Sequence, residues 1–85
     1  MTLLELDLKL RDLKINPKNY SLNGDLKSDA IILFHNFENW NVFYLDDRGG
    51  RSEEKIFATE GEACLHIYKH FLIEKDIADK FNLNT

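Results

Sequence analysis

An α+β fold is predicted, in the order α-β-β-β-α, with a three-stranded antiparallel meander packed against two helices. Three observations carry the prediction. Leucines at helical spacing open the chain behind a capping box. Three apolar runs then follow one another across short polar turns. A second capping box opens an amphipathic segment that leads toward the end of the chain. The 85 residues suffice for one domain. No linker, repeat or low-complexity tract divides residues 1–85.

The first helix is the least obvious element. In residues 3–15, Leu4, Leu6, Leu8 and Leu10 alternate as a strand would, while Leu3, Leu6, Leu10 and Leu13 follow helical spacing. Helix is preferred because leucine is not β-branched. Thr2 and Glu5 also stand three apart, as a capping box requires, each side chain satisfying an amide of the first turn. Pro17 disfavours helical geometry at Asn16 and is expected to close the segment. Residues 16–29 read as a polar loop with an Asn23-Gly24 turn. Residues 30–35 and 40–45 read as strands, with a reversal near Glu38 and Asn39. Residues 46–54 read as a charged turn centred on Gly49 and Gly50, and residues 55–58 as a short third strand. Thr59 and Glu62 repeat the capping-box spacing. The helix behind them places Cys64, Ile67, Tyr68, Phe71 and Leu72 on one face. Residues 76–85 either extend it, with Ile77 and Phe81 as apolar positions, or fray.

Hydrophobic residues make up 44% of the chain and aromatics 12%, enough for one core and too many for disorder. Phe34, Phe37, Trp40, Phe43 and Tyr44 fall close together, so the core is expected there. Trp40, Phe43 or Tyr44, Ile67 and Phe71 are its predicted anchors. A chain of this size buries roughly 60–65% of its unfolded surface, which leaves a thin stability margin. Cys64 is the one cysteine, so no intrachain disulfide can supplement that margin. A reducing, cytoplasmic location is therefore expected, and the acid at position 5 argues against a signal peptide. The longest uncharged apolar run, residues 30–34, is far short of a membrane span. The net charge of −4 opposes nucleic-acid binding and mildly favours a basic partner.

Four clusters could carry chemistry. Glu62, His66, His70 and Glu74 recur every four residues and could present a stripe of ligands to zinc. The plainer reading is the wet side of an amphipathic helix, so no metal is assigned. Asp46 or Asp47 with Glu53 and Lys55 suggests a magnesium-dependent nuclease, in which acids hold the cation and lysine stabilises developing charge. The acids stand close together across a tight turn and no strand follows the second helix, so the plainer reading is a solvated hairpin tip. Residues 48–51, Arg-Gly-Gly-Arg, make a turn rather than a phosphate loop, lacking the Lys-Ser/Thr that holds nucleotide. Cys64, on the apolar face, reads as an inert core thiol. No catalytic residue and no cofactor are assigned. Binding another protein is the favoured role.

Three stretches together resemble a known class: Tyr20-Ser-Leu-Asn-Gly-Asp at 20–25, Trp40-Asn-Val-Phe-Tyr-Leu-Asp-Asp-Arg-Gly-Gly at 40–50, and Lys55-Ile-Phe-Ala-Thr-Glu-Gly-Glu-Ala-Cys at 55–64. They resemble small bacterial immunity proteins encoded beside polymorphic or contact-dependent inhibition toxins. The resemblance spans roughly residues 3–73. It implies a cytosolic protein that occludes the working surface of a cognate secreted toxin domain, often a nuclease. It assigns no binding residues. The turn at 46–54 is the expected contact, with Asp46, Asp47, Arg48, Arg51, Glu53 and Glu54 presented on a short hairpin, and with Asp25 and Asp29 as possible neighbours. The alternatives are a generic interaction or homo-oligomeric domain, and the small nuclease using Asp46, Asp47, Glu53 and Lys55.

Overall fold

The computed structural model describes residues 1–82. Two helices and a four-stranded mixed sheet make an α+β fold, with α1 at Leu3–Asp12, β1 at Tyr20–Ser21, β2 at Ala30–Asn36, β3 at Asn39–Leu45, β4 at Arg51–Phe57 and α2 at Glu60–Asn82. The sheet order is β1-β2-β3-β4. Strands β2, β3 and β4 form the expected antiparallel meander. The fourth strand is a correction: β1 pairs parallel to β2, Tyr20 opposite Ile31 and Ser21 opposite Ile32, inside the stretch read as loop.

The α1 capping box forms as the spacing predicts. The Glu5 amide donates to Thr2 Oγ1 at 3.2 Å and the Thr2 amide to Glu5 Oε1 at 3.4 Å. Pro17 does not end this helix. The chain turns at Lys14, with φ 62, while the Lys14 amide bonds the Arg11 carbonyl and the Ile15 amide the Leu10 carbonyl. That is a Schellman motif with lysine in the place glycine usually takes. Pro17 instead opens a single 3-10 turn, capped by Asn16 Oδ1. At the start of α2, the Glu62 amide donates to Thr59 Oγ1 at 3.2 Å.

Both helices cover one face of the sheet. Leu6 and Leu10 from α1 and Ala63, Cys64, Ile67 and Phe71 from α2 are buried against Ile31, Leu33 and Val42. Tyr20 joins them, its ring edge-on to Phe71 at 6.0 Å and its hydroxyl donating to Asp7 at 3.4 Å. That anchor is what makes β1 a strand. The helices run in parallel, since the Leu3 amide at the start of α1 donates to Glu60 at the start of α2, at 2.9 Å. Further along, Lys9 sits over the Tyr68 ring. Leu72, expected on the buried face, is exposed, and Tyr68 is half-buried. Helix α2 does continue past residue 76. Residues 83–85 and the Phe81 side chain lie outside the described residues.

Alternation along β2 and β3 sends Ala30, Ile32, Phe43 and Leu45 to the opposite face, where they form a second buried cluster. The aromatic-rich segment is therefore divided between two faces rather than gathered in one core. Phe37 leaves the core altogether, at 99% exposure on the β2–β3 loop. The third strand is longer than read. Cross-strand pairing with β3 draws residues 51–54 into β4, so the turn shrinks to residues 46–50. Among the described residues, no helix is long and apolar enough to cross a membrane.

Truncating Phe71, only 2% exposed, removes the contact shared by α2, β1 and the sheet. Phe71→Ala should cost about 3–5 kcal/mol, enough to unfold much of a domain this small. Cys64 supplies a second readout. Burial, and then the Glu60 carboxylate, push its thiol up to about 11, so it should resist alkylation in the parent and react quickly in Phe71→Ala. A variant that keeps the parental melting temperature and an unreactive thiol would refute this packing.

Candidate functional site

The polar groups with the clearest arrangement gather at one end of the sheet, around the β3–β4 turn. Asp46 builds that turn. Its Oδ1 accepts from the amides of Arg48 at 2.9 Å and Gly50 at 2.7 Å, and its own amide donates to the Gly50 carbonyl at 2.9 Å. Gly49 takes φ +82, which few side chains tolerate. A Cβ at Gly50 would stand 2.7 Å from Asp46 Oδ2. The tip is a short turn closed by its own carboxylate, which leaves Asp47 and Arg48 exposed at its apex.

The six residues proposed for the tip do not act as one patch. Asp46 is half-buried and engaged by backbone amides. Arg51 folds back so that its guanidinium lies 4.4 Å from the centroid of Phe43, on the face away from the helices. Glu53 sits at a β-bulge, with φ 54 and the register shifted between Val42 and Tyr44. The bulge brings Glu53 to the helix side, where it borders a cleft. Glu54, at the same bulge, is exposed.

That cleft, about 570 Å³, joins five segments. Asp29, Tyr44, Ser52, Glu53, His70 and Glu74 line its walls, and Ile31 and Phe71 reach its floor. Tyr44 links cleft and tip. Its hydroxyl donates to Asp29 Oδ1 at 3.2 Å. Desolvation and the Asp29 carboxylate, with Asp46 and Asp47 adding to it, hold the phenol protonated above its ordinary range. On α2, His70 and Glu74 pair at 3.2 Å. The sequence pattern hinted at Asp29 but missed Tyr44, Ser52 and the part of His70 and Glu74 that faces the sheet. Only strand register brings those residues together.

The α2 stripe weighed as a zinc site does not lie along one wet face. His66 packs its ring on Phe57 at 5.1 Å, so it borders the sheet rather than lying on a wet face. Among the described residues, no group of three or more His, Cys, Asp or Glu side chains is placed to hold a metal ion. Of the nuclease constellation, Asp46 is engaged by the amides of its own turn, while Glu53 and Lys55 both lie near enough to act on His66. No family model, no curated protein and no solved structure matches the chain.

Two measurements follow from this geometry. Asp46→Ala removes two amide acceptors from the turn and should destabilise the fold by about 1–2 kcal/mol, whereas Asp47→Ala should be near neutral. Equal effects in denaturant titrations would contradict the turn assignment. Burial, then Lys55 and His70, lower the pKa of His66 from 6.5. The unfolded chain therefore binds this proton more readily than the folded one. Stability from His66 is full above pH 6.5 and is lost below it, as pH falls through the lower folded-state value. An imidazole titration by NMR should place its midpoint below 6.5, and His66→Leu should flatten the stability slope just below pH 6.5. A midpoint at or above 6.5 would refute the assignment.

Proposed function

We propose that this chain is an immunity protein, which binds a cognate secreted toxin domain and covers a basic working surface with the acidic end of its sheet. The supporting observation is the concentration of carboxylates there. Asp29, Asp47, Glu53, Glu54 and Glu74 are all exposed, and they come from a loop, a turn, a strand and a helix that share one end of the fold. Asp46 and Asp47 act on the Tyr44 phenol together with Asp29, which ties tip and cleft into one electrostatic surface. A rigid turn and a preformed cleft need little ordering on binding. Like-signed carboxylates would steer a basic surface toward that end and reject acidic competitors. The resemblance of residues 3–73 to immunity proteins agrees with this use, and a cytoplasmic location is part of the proposal.

The test spares Asp46, which the turn needs. Reversing Asp47, Glu53 and Glu54 to lysine should leave folding nearly intact, because exposed charges contribute little. Association with a cognate toxin domain should slow at low salt, the difference narrowing as salt screens it. Protection of cells expressing that toxin should be lost. Full protection by the folded triple variant would overturn the proposal.

A further inference from the structure

The sheet face turned away from the helices is closed over only part of its length. The segment 22–29 crosses it, with Gly24 so close to Phe34 that an added Cβ would stand 3.2 Å from the ring. Beyond that cover, the cross-strand row Phe34, Asn41, Ile56 is open. Phe34 is 46% and Ile56 62% exposed. Between them, the Oδ1 of Asn41 is shielded from water and accepts no hydrogen bond. Leu26, also largely exposed, joins Gly24, Phe34, Phe43 and Arg51 around a dimple of about 160 Å³. No carboxylate among the described residues pairs with Arg51.

The chain also carries an exposed aromatic projection. Phe37 and Glu38 form the two-residue loop between β2 and β3. Phe37 has φ 28, in a loop position that glycine fills without strain. The same residue exposes nearly its whole ring to solvent. Folding gains nothing from a strained, fully exposed phenylalanine, and this coincidence marks a side chain kept for contact. Glu38, its neighbour, supplies the charge that Arg51 lacks.

We propose that the helix-free sheet face is a self-association surface. A second copy covers it, with Phe37 of each copy entering the other's dimple and Glu38 of each meeting the other's Arg51. A single two-fold rotation makes both contacts at once, so the assembly closes as a dimer. The uncovered rows of the two sheets meet, and Phe34, Ile56 and Leu26 are buried between the copies. The inference does not rest on the toxin reading, which uses the turn at residues 46–50 and the cleft on the helix side, whereas the dimple lies on the helix-free face.

Light scattering and sedimentation on the full chain should show a monomer–dimer equilibrium below about 1 mM. Phe37→Gly should raise the melting temperature at dilutions where the chain is monomeric, by relieving the strained loop. It should also weaken the dimer at least about tenfold. Glu38→Arg should weaken the dimer, and combining it with Arg51→Glu should restore it. A chain that stays monomeric to about 1 mM, or a dimer indifferent to Phe37→Gly, overturns the proposal. So does a complex with a different protein that needs Phe37 while the chain alone remains monomeric.

Discussion

The packing of Ile67 and Phe71 against Leu33, Val42 and Tyr20 is the contact on which the rest of the molecule depends. These side chains have almost no exposure, and they are where helix, inner strands and the short parallel strand meet. Remove that contact and α2 has no reason to lie along the sheet. Glu60 would then no longer reach the first turn of α1, and Tyr20 would lose the ring that holds β1 in place. A chain of this length can afford one such layer and no more. The asymmetry follows directly: one face of the sheet is sealed by helices, and the other is sealed only where residues 22–29 cross it.

That asymmetry decides what is left for partners. β4 is an edge strand whose residues 51–56 are all exposed, and such edges invite pairing. Here the edge carries Arg51, Glu53, Glu54 and Lys55, and it is bent by the bulge at Glu53. Both devices discourage strand addition. The recognition proposed above therefore rests on side chains, at the acidic end formed by turn and cleft and across the open face of the sheet. The two surfaces differ in chemistry. The first is a field of carboxylates suited to a cationic partner, and the second an apolar dimple rimmed by a guanidinium.

Much of the fold was legible because its signals are local. Thr2 and Glu5, and Thr59 before α2, announce helix starts by spacing alone. Two apolar runs separated by a short polar break announce a hairpin. What was not legible depends on distant partners. Tyr20-Ser21 is too short to read as a strand and becomes one only through Ile31, Phe71 and Asp7. Arg-Ser-Glu-Glu at 51–54 has little intrinsic strand preference and is held by its ladder with β3. Lys14 ends α1 in a conformation that its side chain does not advertise. The aromatic run misled because alternation splits neighbours between faces, so Phe43 went to the second cluster and Phe37 to solvent. For the site, the tip was visible as a run of charge. The cleft was not, because Asp29, Tyr44, Glu53 and His70 meet only once the register is set.

Amide hydrogen exchange on the free chain tests most directly whether the fold is a single sealed layer with an open edge. The slowest amides should lie in residues 31–33, 42–45 and 63–71, where burial is deepest. Amides of β4 that point away from β3 should exchange orders of magnitude faster. Uniform protection across β4, equal to that of β3, would mean that the edge is covered rather than open.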